Sequence, residues 1–306
     1  MFKLNNTEVR IETTNICNAI CVMCPREKHT RRQSIMDMDL FKSIVDDSVA
    51  SGADRIFLGG YGEPLIDPKL AERIAYVKSK GLFCNFISNA SLWTEEKSRE
   101  LIDAGLDEVR FSVYGVSEKT YEDVHVNLSH EETTNNIKRL AAMERKNLQV
   151  LVFFLVLENN ENEMEPFIKE WKDVVDVVEV WRPHNWSNGR DYRDLSLDAK
   201  PKRTCGRPAT GPLQVQWDGT CIPCCWDYNG EMILGDLKKQ SIAELFRSPE
   251  YEKIRNDHAS GKFEDFPFCD GCDQLHEHPD AIVYSSRQTD LSLAVEKTNS
   301  ALFELK

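Results

Sequence analysis

Three cysteines close together in the chain are the first residues whose spacing could support chemistry. Cys17, Cys21 and Cys24 have the spacing C-x3-C-x2-C and directly follow a β-rich segment, Glu8 to Thr14. Three thiolates this close can bind one metal centre, whereas zinc and ordinary iron-sulfur clusters take four ligands from protein. One metal site is therefore left open for a ligand that is not protein. An open position of this kind indicates a reactive metal centre. On spacing alone, a zinc knuckle without its fourth ligand and redox-labile thiols are the alternatives.

A glycine-rich turn is the second group of interest. The segment Gly59-Gly60-Tyr61-Gly62-Glu63-Pro64 follows the short apolar run Arg55 to Leu58. Its glycines allow backbone to approach a ligand closely, and the Glu63 carboxylate can pair with an ammonium group. Taken alone, the segment also fits a structural turn with a solvated carboxylate.

Polar side chains follow two later apolar runs. Ser88 and Asn89 follow Leu82 to Ile87, and Ser112 closes the run Glu108 to Val113. These groups can hydrogen-bond the hydroxyl or carboxylate groups of a ligand. A turn asparagine and strand serines bonded to backbone are the structural alternative.

A dense group of donors, acceptors and a large ring follows the last apolar run, Val177 to Trp181. The segment is Arg182-Pro183-His184-Asn185-Trp186. It suits the binding of a polar substrate. It also suits a packed connection to a following domain, with His184 as a structural histidine.

The elements that must position these residues alternate between strand and helix. Apolar runs predict strands at Thr7 to Thr14, Arg55 to Leu58, Leu82 to Ile87, Glu108 to Val113, Leu148 to Leu157 and Val177 to Trp181. Helical spacing of apolar residues predicts helices at Met38 to Ala50, Pro68 to Ser79, Thr94 to Ala104, Glu132 to Arg145 and Glu163 to Val174. This alternation predicts an α/β fold, a parallel sheet curled into a (β/α)6 partial TIM barrel. Active sites of such barrels lie at the C-terminal ends of the strands, where the polar groups fall.

The order of these motifs resembles the radical S-adenosylmethionine (SAM) enzymes, and the likeness covers most of the chain. In that family the cysteine motif holds a [4Fe-4S] cluster whose fourth iron binds the amino and carboxylate groups of SAM. One electron from the cluster cleaves SAM to methionine and a 5'-deoxyadenosyl radical, which takes a hydrogen atom from the substrate. The resemblance implies that Cys17, Cys21 and Cys24 hold this cluster.

The resemblance also implies the SAM contacts. The turn at residues 59–64 is similar to the family's GGEP-type motif, which binds the SAM amino group. Met23 stands where the family often has an aromatic residue, and it is apolar enough to lie against the adenine. The implied SAM-binding residues are Met23, Gly60, Gly62, Glu63, Pro64, Ser88, Asn89 and Ser112.

A second set of cysteines begins at Cys205. Cys205, Gly219 and Cys224 have the spacing C-x13-G-x4-C, and Cys269 and Cys272 form a C-x2-C pair. Four cysteines in this arrangement suffice for a complete [4Fe-4S] cluster, or for zinc.

A β-hairpin and two short helices are predicted between these cysteines. Asp218-Gly219 is a strong hairpin signal that joins Leu213 to Trp217 with Thr220 to Ile222. Ser241 to Phe246 and Glu250 to Asn256 are the predicted helices. The hairpin and the helices together predict a small α+β domain. A sheet this small is expected to need a metal to stabilise it.

This segment resembles the SPASM/Twitch extension of radical SAM enzymes. The full SPASM pattern carries further cysteines after the C-x2-C pair, whereas none follows Cys272 here. The resemblance therefore implies the Twitch form, with one auxiliary [4Fe-4S] cluster. Its implied ligands are Cys205, Cys224, Cys269 and Cys272.

No motif identifies the catalytic residue on the substrate side. Cys221 and Cys225 are left over from the second set. Either can replace Cys224 as a ligand, pack as an inert thiol, or donate a hydrogen atom to a substrate radical, as a thiol does in some radical SAM epimerases. Tyr114 and His184 are the other candidates at the predicted mouth of the barrel.

Composition limits the partners and the compartment. The net charge is -13, from 38 basic and 51 acidic residues, which disfavours nucleic acid and anionic membrane as partners. The start of the chain lacks the apolar region of a signal peptide, and no apolar run is long enough to cross a bilayer. A cytoplasmic protein is therefore predicted, and its ten cysteines suit metal better than disulfides, because the cytosol keeps thiols reduced. The predicted domains are a barrel at 1–200, an auxiliary domain at 201–275 and a tail at 276–306.

The resemblance predicts an enzyme with SAM and two [4Fe-4S] clusters that oxidises or epimerises its substrate. A sugar-like or other small polar metabolite is favoured, because few residues precede Cys17 and peptide-modifying members often carry a leader-binding module there. A ribosomally made peptide, epimerised or cross-linked, is the alternative substrate. An electron donor such as flavodoxin or ferredoxin is implied. A non-catalytic iron-sulfur or zinc scaffold is the alternative from another class.

Overall fold

The computed structural model describes residues 2–187, 189–190, 202–266, 268–275 and 282–287. The strands in these residues are β1 (Glu8–Ile11), β2 (Ile20–Cys21), β3 (Arg55–Leu58), β4 (Phe83–Ser88), β5 (Glu108–Ser112), β6 (His125–Val126), β7 (Gln149–Leu155), β8 (Val177–Trp181), β9 (Leu213–Val215), β10 (Thr220–Ile222), β11 (Gly235–Asp236) and β12 (Ile282–Ser285). The helices are α1 (Met38–Ala50), α2 (Leu70–Ser79), α3 (Glu95–Asp103), α4 (Glu118–Val124), α5 (His130–Ala142), α6 (Met164–Trp171), α7 (Arg207–Thr210), α8 (Ile242–Leu245) and α9 (Pro249–Ser260). None of these helices is long and apolar enough to span a membrane.

One ten-stranded sheet organises the molecule, in the order β11-β10-β9-β1-β3-β4-β5-β7-β8-β12. The six predicted barrel strands are neighbours in chain order, and each pairs in parallel with the next. Helices follow β3, β4, β5 and β7 along the chain. This confirms the α/β fold with a (β/α)6 partial barrel.

Apolar burial explains why the segments adopt these elements. In β7 the side chains of Val150, Val152 and Phe154 are fully buried. Phe154 packs against Phe167 of α6, with 5.0 Å between ring centroids. Each such side chain contributes about 1.5–3 kcal/mol when it leaves water. The barrel is therefore a firmly packed base for the polar loops at its rim.

The predicted hairpin is present, but it belongs to the main sheet. β9 pairs in parallel with β1, which places Val9 opposite Leu213. β10 then pairs antiparallel with β9. The expectation that a metal must stabilise this sheet omitted the long-range pairing with β1, which supplies main-chain hydrogen bonds and burial.

The segment after the second cysteine set also contributes to the sheet. β12 lies within the predicted tail at 276–306 and pairs antiparallel with β8. The rest of that tail, apart from residues 286 and 287, lies outside the described residues, and so does the segment 191–201. The predicted domain limits stay a prediction.

A separate two-stranded ribbon holds the first cysteine loop. β2 pairs antiparallel with β6, so that Cys21 lies opposite His125. The Val22 amide continues the ribbon by donating to the Val124 carbonyl at 3.0 Å. The ribbon therefore fixes the cysteine loop beside the end of β5.

Candidate active site

The three cysteines of the C-x3-C-x2-C motif lie together directly after β1. The Cys24 amide donates to the Cys21 carbonyl at 3.1 Å, which closes a tight turn. Burial, and after it the nearby Cys17 thiol, raises the pKa of Cys24 to about 11. Burial and the other two thiols also raise the pKa of Cys21. A metal centre bound here would displace protons from all three sulfurs, because the thiolate is the ligand.

A buried histidine contacts this loop, and no sequence motif had marked it. The Sγ of Cys21 lies 3.3 Å from Nδ1 of His125. The Tyr114 amide donates to Nε2 of the same ring at 3.3 Å. Burial lowers the pKa of His125 to about 3, so the ring is neutral. Only the register of the β2–β6 ribbon could have revealed this contact.

The glycine-rich turn docks against the start of the cysteine loop. A Cβ added to Gly62 would lie 2.3 Å from the Thr14 carbonyl oxygen and 2.7 Å from that of Ile16. The Glu63 amide donates to the Ile16 carbonyl at 2.9 Å. Glycine is required at position 62 because no side chain fits between these two segments.

Glu63 is a buried carboxylate held by three donors. The Ser88 hydroxyl donates to Oε1 at 2.8 Å, and the Asn89 amide donates to Oε2 at 2.8 Å. The Leu65 amide also donates to Oε1, at 3.1 Å. Burial raises the pKa of Glu63 to about 7, although these hydrogen bonds oppose the rise. The residue is 2% exposed, so its carboxyl group is held in a fixed position beside the cysteines.

The other predicted SAM contacts surround the same loop. The Asn89 amide side chain donates to the Asn18 side chain of the cysteine loop at 3.0 Å. Met23 is buried against Tyr114 and Leu157, near the ends of β5 and β7. The structure thus brings together the predicted residues Met23, Gly60, Gly62, Glu63, Pro64, Ser88, Asn89 and Ser112 at the C-terminal ends of β3, β4 and β5 and on the neighbouring loop. Their roles toward SAM stay a prediction.

The second set of cysteines lines one cavity. The four lining cysteines are Cys205, Cys224, Cys269 and Cys272. Burial raises the pKa of Cys269 to about 12 and that of Cys272 to about 11. Among the described residues, no three His, Cys, Asp or Glu side chains are close enough to bind a single metal ion. Four thiols around one cavity suit a [4Fe-4S] cluster or zinc, the two metal centres that the cysteine spacing predicts.

Two other residues of this cavity fit a bound anionic cluster. His258 lines it and is 3% exposed, and its Nε2 has no hydrogen-bond partner within the described part of the chain. Arg207 also lines it and lies over the Trp226 ring at 4.0 Å. A buried donor and a cation both compensate the negative charge that thiolates and sulfide carry.

The four catalytic candidates have different surroundings. Cys221 lies in β10 and is fully buried in the main hydrophobic core, and it does not line the cavity. The hydrogen bond from Cys224 lowers the pKa of Cys225. Tyr114 is buried against His125, at 4.7 Å between ring centroids. The indole of Trp226 donates to Nε2 of His184 at 2.8 Å, a contact that fits a packed connection to the second cysteine region.

The two cysteine regions meet at the same end of the barrel. The Tyr61 phenol, in the glycine-rich turn, donates to the Cys225 carbonyl at 2.6 Å. Arg31, shortly after the first cysteine loop, donates to the Tyr228 carbonyl at 2.9 Å. Arg31 also forms an ion pair with the Glu12 carboxylate at 2.7 Å. Sequence reasoning had singled out neither Tyr61 nor Arg31, because each acts through a partner distant in the chain.

Comparisons with known proteins agree with this arrangement. The model of the radical SAM superfamily matches residues 11–170, and that of the iron-sulfur cluster-binding domain SPASM matches residues 205–273. A tungsten-containing aldehyde ferredoxin oxidoreductase cofactor-modifying protein of Pyrococcus furiosus is 23% identical, covering 80% of this chain and 82% of that protein.

Solved structures share the fold. The crystal structure of BtrN in complex with AdoMet and 2-DOIA has a TM-score of 0.64 at 19% identity, covering 92% of this chain and 100% of that one. Native anSMEcpe with bound AdoMet and Kp18Cys peptide has a TM-score of 0.63 at 14% identity, covering 97% and 96%.

These matches decide the family. A radical SAM domain implies a [4Fe-4S] cluster and SAM, and a SPASM domain implies further iron-sulfur binding. The first family model covers more than half of the chain, and within it Glu63, Ser88 and Asn89 are hydrogen-bonded together at the rim of the barrel. The chain belongs to the radical SAM superfamily, as an enzyme with a C-terminal SPASM-type domain.

Proposed function

We propose that this radical SAM enzyme oxidises a sugar-like or other small polar molecule by two electrons. In this proposal one [4Fe-4S] cluster binds SAM, and a single auxiliary [4Fe-4S] cluster lies in the second cysteine region. The ligands are Cys17, Cys21 and Cys24 for the first, and Cys205, Cys224, Cys269 and Cys272 for the second.

The residues of the barrel rim bind and orient SAM. Glu63 pairs with the SAM amino group, and the Ser88 hydroxyl holds the Glu63 carboxylate in place. Met23 lies against the adenine, and Gly62 lets the turn approach the cysteine loop. When bound, the cluster supplies the electron that cleaves SAM and so produces the radical that removes a hydrogen atom from substrate. An external donor such as flavodoxin or ferredoxin supplies that electron.

The contact between Tyr61 and Cys225 is the observation that favours oxidation over epimerisation. It joins the SAM turn to the residue beside Cys224, so the auxiliary ligands stand close to the place of hydrogen removal. Oxidation of an alcohol to a ketone requires that the substrate, after losing a hydrogen atom, also loses one electron and one proton. A nearby auxiliary site is a suitable acceptor for that electron.

Epimerisation needs a hydrogen donor on the opposite face of the substrate, and the thiols are poorly placed for it. Cys221 is enclosed in the hydrophobic core. The Arg207 guanidinium lies 4.0 Å from the Cys225 sulfur and favours its thiolate, which has no hydrogen atom to donate. Oxidation therefore has the better support.

The class of substrate rests on the relatives. The cofactor-modifying protein matches over most of both chains, and the BtrN structure contains 2-DOIA, which supports a small molecule here as well. The anSMEcpe structure contains a peptide and matches over a similar length, which supports modification of a peptide as the second candidate.

Reconstitution without oxygen tests the proposal. About eight irons per chain, with release of 5'-deoxyadenosine from SAM under dithionite, are expected for two clusters. Replacement of Cys17, Cys21 and Cys24 by alanine should abolish this release and leave about four irons. Bound zinc, or undiminished SAM cleavage in the triple variant, would contradict the cluster assignment.

Turnover in deuterated water then separates the redox outcomes. A panel of polyols, aminocyclitols and peptides is incubated with enzyme, SAM and reductant. Oxidation gives one ketone-containing product per 5'-deoxyadenosine and no solvent deuterium at the reacting carbon. A product of unchanged mass apart from one solvent deuterium would instead establish epimerisation.

A further inference from the structure

We propose that His125 raises the reduction potential of the SAM-binding cluster by donating a hydrogen bond from Nδ1 to the Cys21 sulfur. This inference rests on the proposed function in one respect, that Cys21 is a cluster ligand. His125 acts through Cys21, so it is a positioning residue and not a catalytic one.

The hydrogen bonds of the ring fix which nitrogen carries the proton. The Tyr114 amide donates to Nε2 at 3.3 Å, so Nε2 uses its lone pair and carries no hydrogen. The proton of the imidazole is therefore on Nδ1. Nδ1 lies 3.3 Å from the Cys21 Sγ, within the range of an N–H···S hydrogen bond. The donor therefore points at the ligand sulfur.

The surroundings hold the ring in this orientation. His125 is fully buried and lies 4.7 Å from the Tyr114 ring and 4.6 Å from the Tyr121 ring, between centroids. The Tyr121 hydroxyl is itself fixed by a 3.0 Å hydrogen bond to Thr133 of α5. The ribbon pairing of Cys21 with His125 sets the distance between ring and sulfur. The donor is thus built into the fold and cannot rotate away to solvent.

A hydrogen bond to a cluster sulfur changes the energy of the two redox states unequally. The reduced cluster carries one more negative charge, so the donor stabilises it more than the oxidised form. The potential is therefore higher than it would be without the donor. The chain uses the bond to make the cluster easier to reduce.

The test measures the midpoint potentials of both clusters by redox titration followed by electron paramagnetic resonance. His125→Phe removes the donor and keeps an aromatic ring between the tyrosines. His125→Asn places an amide N–H close to the position of Nδ1. His130→Phe is the matched control, because His130 also packs against Tyr121, at 5.3 Å between ring centroids.

The expected result is a more negative midpoint potential of the SAM-binding cluster in His125→Phe. His125→Asn and His130→Phe should stay near the wild-type value, and the auxiliary cluster should keep its potential in all variants. An unchanged potential in His125→Phe, or an equal shift in His125→Asn, would overturn the inference. Failure of the shared premise is distinct, since wild-type protein would then hold no iron at the first cysteine set, and failure of the oxidation itself would leave these potentials as predicted.

Discussion

Glu63 is the residue at which burial and ligand binding oppose each other. Its carboxylate is enclosed, and burial raises its pKa to about 7, so near neutral pH it is only partly ionised. A SAM ammonium group would favour the ionised form by direct pairing. In the proposed SAM site, binding of SAM would therefore be coupled to release of the Glu63 proton.

Replacement of Glu63 by glutamine should remove a pH dependence. In the wild type, the ionised fraction and hence the affinity for SAM should rise up to about tenfold between about pH 6 and pH 8. In Glu63→Gln the affinity should be weaker and nearly independent of pH over that range, apart from titration of SAM itself, which both proteins share. Equilibrium binding of SAM to the reconstituted oxidised enzyme measures this.

Glu108→Gln is the matched control for this series. Glu108 is a buried carboxylate at the start of β5, away from the strand ends that carry the site. Burial raises its pKa, but the Arg110 guanidinium and other groups lower it overall below the ordinary value. Its replacement should leave the pH profile of SAM binding unchanged. The same profile in wild type and Glu63→Gln would show that Glu63 does not face the SAM amino group.

Gly62 provides a steric test of the same turn. In Gly62→Ala the new methyl group meets the Thr14 carbonyl oxygen at 2.3 Å, and backbone must move to relieve the contact. We expect a loss of about 1–3 kcal/mol of stability, a lower Tm, and weaker SAM binding. Thermal unfolding and SAM titration measure both effects.

Gly59→Ala is the comparison within the same segment. The atoms nearest to its added methyl group belong to the Phe57 ring, the first at 2.8 Å, and a side chain can rotate away. Neither glycine has a positive φ, so backbone strain does not separate them. Equal losses of stability in Gly59→Ala and Gly62→Ala would mean that the close approach to Thr14 is not the reason for glycine at position 62.

At the scale of elements, a buried ion pair fixes α2 beneath the glycine-rich turn. Arg73 of α2 and Asp67 are both fully buried, with 2.6 Å between Nε and Oδ2. Asp67 also accepts from the Lys69 amide at 2.9 Å just before the helix begins. Arg73 donates in addition to the Met36 carbonyl, ahead of α1. The pair thus connects the starts of two helices.

Arg73→Met should lower the free energy of unfolding by about 3–5 kcal/mol, because it leaves the Asp67 charge buried without its partner. The double variant with Asp67→Asn should recover part of this loss, since the asparagine oxygen still accepts from the Lys69 amide. Thermal unfolding of the reconstituted protein compares the three chains. A double variant no more stable than Arg73→Met would show that the lost contacts of the arginine, and not the unpaired charge, cause the loss.

Elements with long local patterns could be predicted from the sequence, whereas their distant partners could not. α1 and β3 have the predicted limits, because amphipathic spacing and an apolar run are local signals. α4 was missed, since only Tyr121 and Val124 of its residues are buried. The pairing of β9 with β1 joins residues about 200 apart in the chain, for which no local signal exists.

At the scale of the whole molecule, the same distinction explains which residues of the candidate site could be predicted from the sequence. Cysteine spacing and the turn around Glu63 are short motifs, so the sequence alone located both cysteine regions. His125 and Tyr61 contribute through partners far along the chain. The fold decides those contacts, and a single sequence carries no pattern for them.

Loss of the cluster from the second cysteine region should unfold one part of that region and leave another part folded. The double variant Cys269→Ala/Cys272→Ala should hold about four irons instead of eight. α9 and residues 268–275 should then lose amide protection, because they border the cavity that the cluster would fill. β9 and β10 should keep theirs, because β9 is hydrogen-bonded to β1 in the main sheet. Hydrogen exchange followed by mass spectrometry resolves the two parts.

Cys225→Ala is the control, because Cys225 adjoins Cys224 and does not line the cavity. It should retain the full iron content and the wild-type exchange pattern, and loss of about four irons would instead make Cys225 the ligand. If β9 and β10 opened together with α9 in the double variant, the cluster and not the pairing with β1 would stabilise the hairpin. Retained amide protection in β9 and β10 would mean that the sheet alone positions Cys224. The cluster would then be needed only to order the segments around His258.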